Sequence, residues 1–567
     1  MKSNWFLYNR SKDIKNMTQK FGIDALTSVI LCNRNIYEDD AVKKILSNNI
    51  DDINDAKLLP DVDKAVSILK EYIDSNKKIM IVGDYDVDGV CATYILYDTI
   101  KKLGANISYA IPDRLSDGYG INKSIIEKAI NDKIDLIITC DNGIAAGEQI
   151  TYAKENNIEV IVTDHHDISE LPRDAVAIVD PKRKDVDNPY PFEGICGAVV
   201  AWKFMARYYE LYKNDKSFVI DNYLEFAMIA TIGDIMSLID ENHIIAKLGL
   251  KKIVNTKNAG LKKLLEVTGI DLQNKEVTTY HIGFIIGPLI NAAGRMDKAT
   301  LALRLFITDD VKEINEIAEA LKVFNEERKK MTEDGAKEAI KLVETDYKED
   351  KVLVLFVEGL GEQVAGIVAG RIKEKYNKPT IILTSTLNSD EAKASCRSIE
   401  AYDIFEALSK HKDVFLRFGG HRLAAGFSIL KKDIVKLRNN LNDECKLDEK
   451  DFTPKVYIDA EFPFYNFDLR LMSELEKIEP FGQGFSRPVF ATKEVKCNIK
   501  NVYGANNNII QLELNKDHHV LKAVAFTDLG PIKERIEKSD ILDIIYNPKI
   551  NEYRGVKSID FNIVEYR

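Results

Sequence analysis

A chain of 567 residues is too long for one hydrophobic core and predicts three or four domains. With 45 % hydrophobic and 30 % charged residues it is an ordinary globular protein rather than a disordered one, and no apolar run reaches the length of a membrane span. A net charge of −11 argues against indiscriminate nucleic-acid binding, though not against a local basic channel.

Residues 1–75 show mixed helical patterns and an acidic stretch (Asp51, Asp52, Asp55, Asp61, Asp63) but no motif. From Lys77 a β/α alternation begins. Ile79-Met80-Ile81-Val82, bounded by Lys77-Lys78 and Gly83, predicts a buried parallel strand. Asp84, Asp86 and Asp88 follow at alternate positions with no cation between them. Their repulsion is unfavourable unless something positive sits among them, and oxygen donors suit Mg²⁺ or Mn²⁺. The alternatives are an acidic turn or a Ca²⁺ loop. D-x-D-x-D-G opens like an EF-hand loop, but the twelfth position from Asp84 is Ile95, where that loop needs glutamate.

A helix is predicted over 90–103, then a strand at 107–111, Pro112-Asp113-Arg114, a Gly-Tyr-Gly turn at 118–120 and a helix from Asn122. The run 134–140 predicts a strand ending in Asp141-Asn142-Gly143. After a helix at 145–156, the run 158–163 predicts another, ending in Asp164-His165-His166. A strand at 175–179 completes a mostly parallel, doubly wound sheet. Ligands gather outside the carboxyl ends of such strands. Three strands therefore deliver acids, and two of the chain's eight histidines, to one rim.

Helices are predicted over 194–212 and 221–232, the second closing on Gly233-Asp234. An aspartate ending an apolar helix is oddly placed, because helix C-termini favour cations. A simple loop acid is one reading, a further metal ligand the other. Residues 283–297 form a Gly-punctuated apolar run that includes Arg295, and 311–343 predict a long helix.

A second α/β unit starts at 352–357 and runs through a helix at 364–376 and a strand at 380–383 to Ser395 and Arg397, then Gly419-Gly420-His421. A Gly-Gly pair alone is usually a turn. With small residues, hydroxyls and arginines together at strand ends it predicts a phosphate-binding surface. From Val456 short strands separated by turn residues predict an OB-like β-barrel, with a purely structural barrel as the alternative. Its aromatics (Phe490, Tyr503, Phe526, Tyr546, Tyr553) are candidates for stacking on bases, and truncation near Leu447 is expected to weaken single-strand binding while sparing the metal chemistry. The domains expected are 1–75, an N-terminal region; 76–310, the metal domain; 311–346, a connector helix; 347–450, a smaller substrate-binding α/β domain; and 451–567, the OB-like barrel.

Gly83-Asp84-Tyr85-Asp86-Val87-Asp88-Gly89, Asp141-Asn142-Gly143, Asp164-His165-His166, Gly233-Asp234, Asn291-Ala292-Ala293-Gly294-Arg295 and Gly419-Gly420-His421 together resemble the DHH phosphoesterase superfamily. Their order, with Pro480-Phe481-Gly482-Gln483-Gly484 before the barrel, is similar to the RecJ family of single-strand-specific 5′→3′ DNA exonucleases; the resemblance covers roughly residues 60 to 567. It implies that Asp84, Asp86, Asp88, Asp141, His165 and Asp234 hold two divalent ions, Mn²⁺ or Mg²⁺, with Asp141 bridging them. His166 would then face the scissile phosphate. It further implies a 5′-phosphate pocket of Arg295, Ser395 and Arg397, with Arg114, Gly419, Gly420 and His421 along the substrate path, and a narrow channel that excludes duplex DNA. Cys396 stands where a small residue is usual, and Gly484-Phe485-Ser486 where Gly-Asn-Pro would be expected.

The implied activity is hydrolysis of single-stranded DNA in repair and recombination. The implied partners are single-stranded DNA, a single-strand-binding protein and a helicase, for a monomer that needs no membrane. A phosphodiesterase of RNA or short oligonucleotides is an alternative, as is a non-catalytic scaffold, although scaffolds of this kind have lost ligands that are all present here. Seven scattered cysteines without a C-x-x-C pair, and a polar start without a signal peptide's apolar core, lead to the expectation of a cytoplasmic protein.

Overall fold

Apolar runs too short for helices become strands buried on both faces of a parallel sheet. The structure is a computed structural model that describes residues 3–9, 14–112, 120–270, 276–296, 299–386, 390–504, 507–553 and 555–567. After a short β1 (Asn4–Leu7) come β2 (Lys78–Val82), β3 (Asn106–Ala110), β4 (Leu136–Cys140), β5 (Glu159–Thr163) and β6 (Ala177–Val179). The last five form one sheet in the order β3-β2-β4-β5-β6, with every pairing parallel, as the β/α alternation predicts. Because these strands run the same way, Asp84, Asp141, Asp164 and Asp180 leave the sheet at one edge, after β2, β4, β5 and β6.

Helices cover the sheet. The second half of the helix Lys216–Gly233 is almost wholly apolar because it has no solvent face: Tyr223 through Thr231 are all buried.

The chain divides into two compact units, Leu7–Lys322 with Ile458–Arg567, and Met1–Phe6 with Val323–Tyr457. It passes from the first to the second within the 36-residue helix Val311–Asp346. In the second unit β7 (Leu353–Phe356), β8 (Thr380–Ser385), β9 (Glu391–Arg397), β10 (Phe415–His421) and β11 (Ala424–Leu430) form a mixed sheet in the order β10-β11-β9-β8-β7. Only β7 and β8 run parallel within it. A short β12 (Lys455–Ile458) pairs with β1.

The C-terminal part of the first unit holds β13 (Ala460–Glu461), β14 (Phe490–Tyr503), β15 (Ile509–Lys516), β16 (His519–Phe526), β17 (Ile541–Tyr553) and β18 (Val556–Tyr566). The barrel closes because β14 changes partner along its length. Its first half pairs with β17 and its second half with β15, and the register slips between Thr492 and Val495, where Glu494 has φ +49°. Bulges of this kind bend a strand and increase its twist, which closure needs. The strands expected to be short run to 14 and 13 residues in β14 and β17.

The barrel is neither separate from the N-terminal region nor uniformly open to bases. The helices Ile14–Phe21, Ala25–Asn33 and Asp39–Leu46 share one hydrophobic core with it: Met17, Ile30, Val42 and Ile45 belong to the same cluster as Phe464, Phe490, Tyr546 and Phe561. Of the aromatics proposed for base stacking, Phe490 and Tyr546 are wholly buried in that core, whereas Tyr503 and Phe526 are 51 % and 66 % exposed. The side chain of Tyr553 lies outside the described residues.

Candidate metal centre and substrate surface

The rim of the parallel sheet is built by short loops whose backbones are pinned by their own hydrogen bonds. Asp86 caps the helix Val87–Lys102, its Oδ1 accepting from the amides of Asp88 and Gly89 at 3.0 Å each. Asp88 accepts from the amides of Gly197 and Ala198 at 2.7 Å, the first turn of the helix Gly197–Lys213. Asn291, from the Asn-Ala-Ala-Gly-Arg motif, accepts the Val87 amide at 2.7 Å and so ties the helix Gly287–Arg295 to the acidic loop.

Asn142 staples the neighbouring strands. Its Nδ2 donates to the carbonyls of Val82 and Cys140 at 3.0 and 2.9 Å, and its Oδ1 accepts from Ile121 at 3.0 Å. Between these anchors Asp141 adopts a left-handed backbone, φ +60°. That conformation is uncommon outside glycine but best tolerated by Asp and Asn. Room for it comes from Gly197, where a Cβ would lie 2.6 Å from the Cβ of Asp141.

These loops bring together all six residues named as metal ligands. Asp84, Asp86 and Asp141 form one group with donor atoms within 4.8 Å of one another; Asp88, His165 and Asp234 form a second, and Asp141, His165 and His166 a third. His165 Nε2 lies 3.0 Å from Asp141 Oδ1, 3.4 Å from Asp88 Oδ2 and 3.8 Å from Asp234 Oδ2. Asp141 thus belongs to two of the three groups.

By themselves these crowded acids are electrostatically unfavourable. Burial, with Asp86 adding repulsion, pushes Asp84 up to about 8; burial together with Asp88 and Asp86 does the same to Asp234. Asp141 is held well above the usual carboxylate range by burial and then by Asp88 and Asp86. Both oxygens of Asp84 are buried without a hydrogen-bond partner. Orphaned oxygens and crowded carboxylates with raised pKa values fit divalent cations, and the oxygen-rich donor set with one buried imidazole suits Mn²⁺ or Mg²⁺. Burial also lowers the pKa of His165 and keeps its ring neutral, the form that ligates.

His166 behaves differently. Its side chain is 43 % exposed, and its Nδ1 donates to Asp164 Oδ1 at 2.7 Å. Burial opposes its charge, but the bond to Asp164, helped by Asp234 and Asp88, raises it to about 9. Asp164 is itself held below the carboxylate range: burial opposes this, yet donation from His166, Ile144 and the His165 amide outweighs it. Asp180, at the end of β6, was not among the residues singled out from the sequence. It is buried and, against a hydrogen bond from the Lys182 amide, burial and the nearby Asp164 push it to about 7.

In the second unit β9 places Ser395 and Arg397 on one face, with Cys396 turned into the core. The unusual Cys396 therefore leaves the polar face untouched. Across the sheet Arg397 lies opposite Ala424, which lies opposite His421; Ser395 lies opposite Gly426, which lies opposite Gly419. Arg397, Ser395, Gly419 and His421 consequently share a face floored by Ala424 and Gly426, while Gly420 alternates to the other side. Over this face the helix Glu362–Tyr376 presents Gly366, where a Cβ would lie 2.9 Å from Ser395 Oγ and 3.1 Å from Arg397 Nη2. Arg295 ends the helix Gly287–Arg295 and belongs to the other unit. Arg114 lies outside the described residues.

The comparisons with known proteins follow the same divisions. Residues 78–231 match the DHH family, N-terminal domain; residues 349–447 match the DHHA1 domain; and residues 458–565 match the RecJ OB domain. The chain is 33 % identical over 562 residues to a single-stranded-DNA-specific exonuclease RecJ of Bacillus subtilis, covering 98 % of this chain and 70 % of that protein. It is 31 % identical over 531 residues to the Haemophilus influenzae protein of the same name, covering 89 % and 90 %. A crystal structure of RecJ in complex with Mn²⁺ from Thermus thermophilus superposes with a TM-score of 0.82 at 23 % identity, over 100 % of this chain and 79 % of that one, and shares the fold. A parallel-sheet domain with this acidic rim, a DHHA1 domain and a closed C-terminal barrel, in this order and at this level of identity, make the chain a member of the RecJ family.

Proposed function

We propose that the chain is a two-metal-ion exonuclease that degrades single-stranded DNA in the 5′→3′ direction, serving DNA repair and recombination. The observation that carries the reading is the pair of three-donor groups, Asp84/Asp86/Asp141 and Asp88/His165/Asp234, linked by the 3.0 Å contact between His165 and Asp141. Asp84, Asp86, Asp88, Asp141, His165 and Asp234 would hold two divalent ions, with Asp141 shared between them. When bound, divalent ions polarise the scissile phosphate as Lewis acids and acidify water to make a nucleophile.

The remaining work falls to side chains. His166, fixed through Nδ1 by Asp164 in a bond that favours its charged form, directs its Nε2 proton to the phosphate. Ser395 and Arg397 hold the 5′-phosphate, Arg397 through charge-assisted bonds, and Arg295 completes that recognition. Gly419 and His421 line the path of the strand, and the exposed Tyr503 and Phe526 give the barrel rings on which bases stack.

The protein works as a monomer on strands that a helicase exposes and a single-strand-binding protein covers. Among the described residues no helix is long and apolar enough to cross a membrane, and the place assigned to the enzyme is the cytoplasm, with its DNA. End-labelled single-stranded DNA, matched RNA and duplex, each with and without Mn²⁺, test the reading. Release from the 5′ end of single-stranded DNA alone, and only with metal, is the expected result. Equal or faster cleavage of RNA would replace it with the oligoribonucleotide reading.

A further inference from the structure

The Pro480-Phe481-Gly482-Gln483-Gly484 loop leads into the barrel, yet its contacts run to the segment that follows Asp234. The Leu238 amide donates to the Gln483 carbonyl at 2.8 Å. The Thr279 hydroxyl donates to the Phe481 carbonyl, also at 2.8 Å. At Gly484, φ +70°, a Cβ would fall 2.7 Å from the Cβ and Oγ of Ser237, and at Gly482 one would fall 2.6 Å from Leu238 Cδ1. Just beyond, the Phe485 ring packs edge-on against His243, centroids 5.3 Å apart. One loop thus grips residues 237–238 and the start of the helical stretch that carries Asn291 and Arg295.

The turn it grips is strained. Asp234 caps the helix Lys216–Gly233, and the next residue, Ile235, has φ +59°. A left-handed backbone is costly for a β-branched residue, and glycine is usual at this place after a helix. The Ile235 side chain is 69 % exposed, so no packing offsets the cost. The turn is closed by Met236 donating to the Thr231 carbonyl at 3.0 Å. Strain of this kind persists only where the surroundings over-determine it, and it concentrates at functional sites.

We propose that the 480–484 loop is a positioning strut for Asp234: it locks the strained turn at 235–238, which keeps the Asp234 carboxylate beside Asp88 and His165. The inference rests on the assignment of Asp234 as a metal ligand. It makes the loop before the barrel a determinant of metal affinity without touching metal or substrate.

The test is Mn²⁺ binding to the full chain, followed by the electron paramagnetic resonance of free Mn²⁺. Gly484→Ala drives Ser237 out of place. It should weaken the ion held through Asp234 by about 10–100-fold, the range for losing an outer-sphere support. The Mn²⁺ concentration for half-maximal activity should rise in step, with kcat at saturating Mn²⁺ much less changed. Single-strand binding in EDTA should stay at the wild-type level. Adding Ser237→Gly to Gly484→Ala removes the side-chain clash but not the left-handed strain of an alanine at φ +70°, and should restore part of the affinity. Thr279→Val, a milder change that removes only the bond to Phe481, should shift affinity in the same direction and decides the matter if Gly484→Ala does not fold. Asp234→Asn is the reference. If it loses an ion while the folded strut variants bind Mn²⁺ as the wild type does, the strut is overturned. If Asp234→Asn itself binds Mn²⁺ normally, it is the ligand assignment that falls.

Discussion

Arg34 and Asp459 meet in a nearly buried, two-point ion pair, with Nη1 to Oδ1 at 2.7 Å and Nη2 to Oδ2 at 3.2 Å. The side chains are 6 % and 2 % exposed, and the same carboxylate accepts from Asn33 at 3.0 Å and from the Val489 amide at 2.9 Å. A residue of the motif-free N-terminal region is thus bound to the first residues of the barrel.

Breaking that pair from one side leaves an uncompensated buried charge. Asp459→Ala should therefore cost about 3–5 kcal/mol, and replacing both partners with apolar residues should recover much of the loss. Urea unfolding of the single and double variants checks this. Equal stability of Asp459→Ala and wild type would show the pair to be solvated.

Asp141 can be replaced by Asn with its left-handed backbone intact. Asp141→Asn should keep the fold, bind Mn²⁺ poorly at both positions, and lose more activity than the roughly 10–100-fold typical of outer-sphere changes. Circular dichroism with Mn²⁺ titration separates lost chemistry from lost structure. A folded variant with wild-type turnover would remove Asp141 from the centre of the mechanism.

The acidic rim makes the metal-free protein sensitive to pH. Asp84 and Asp234, both pushed up to about 8, bind more protons folded than unfolded between about pH 4 and pH 8. Stability must therefore fall as pH rises through that window. His166, raised to about 9, contributes stability that is complete below its unfolded value and is lost as pH climbs toward 9. The two effects have the same sign. Chelated protein should melt progressively lower from about pH 5 to pH 8.5, and Mn²⁺ should raise the melting temperature most at the alkaline end, since binding releases protons. A metal-induced shift independent of pH would contradict the crowding of these acids.

Arg397→Ala should narrow the preference for 5′-phosphorylated over 5′-hydroxyl strands by about 1.5–3 kcal/mol, roughly 10–100-fold. Gly366→Ala, by crowding Ser395 and Arg397, should act in the same direction with the charge still present. Competition binding with the two end groups reads both variants, and an unchanged preference in Arg397→Ala would make that residue structural.

In the barrel the aromatics divide by burial. Tyr503→Ala and Phe526→Ala should weaken binding of long single strands by about 1–3 kcal/mol per stacked base with little change in stability. Phe490→Ala should do the reverse, costing about 3–5 kcal/mol of folding. If the exposed pair can be removed with no loss of affinity at matched salt, the barrel binds through other groups.

What could be read from the sequence follows the range of each interaction. Asp84, Asp141 and His165 each stand one or two residues past an apolar run, so strand and ligand are local to one another and the rim was legible. Asp180 obeys the same rule after β6, and applying it once more would have found it. Ile235 carries no local sign, since its backbone conformation depends on a loop nearly 250 residues away. The stacking role given to Phe490 and Tyr546 came from residue type alone, and type does not say which face of a strand points inward. Expecting the barrel to be removable without touching the metal chemistry missed two contacts: the core shared with residues 14–46 and the grip of residues 480–484 on the turn after Asp234.

The shared core also sets an order on synthesis. The helices between Ile14 and Leu46 leave the ribosome well before the strands that complete their core, β14 to β18. At about 5–20 residues per second the early helices wait on the order of tens of seconds with an apolar face uncovered. Any product that stops short of the barrel keeps that face exposed for good. The chain therefore has a built-in dependence on being finished: incomplete copies should be the ones that chaperones hold or proteases remove, so that few nuclease domains accumulate without the barrel meant to guide them.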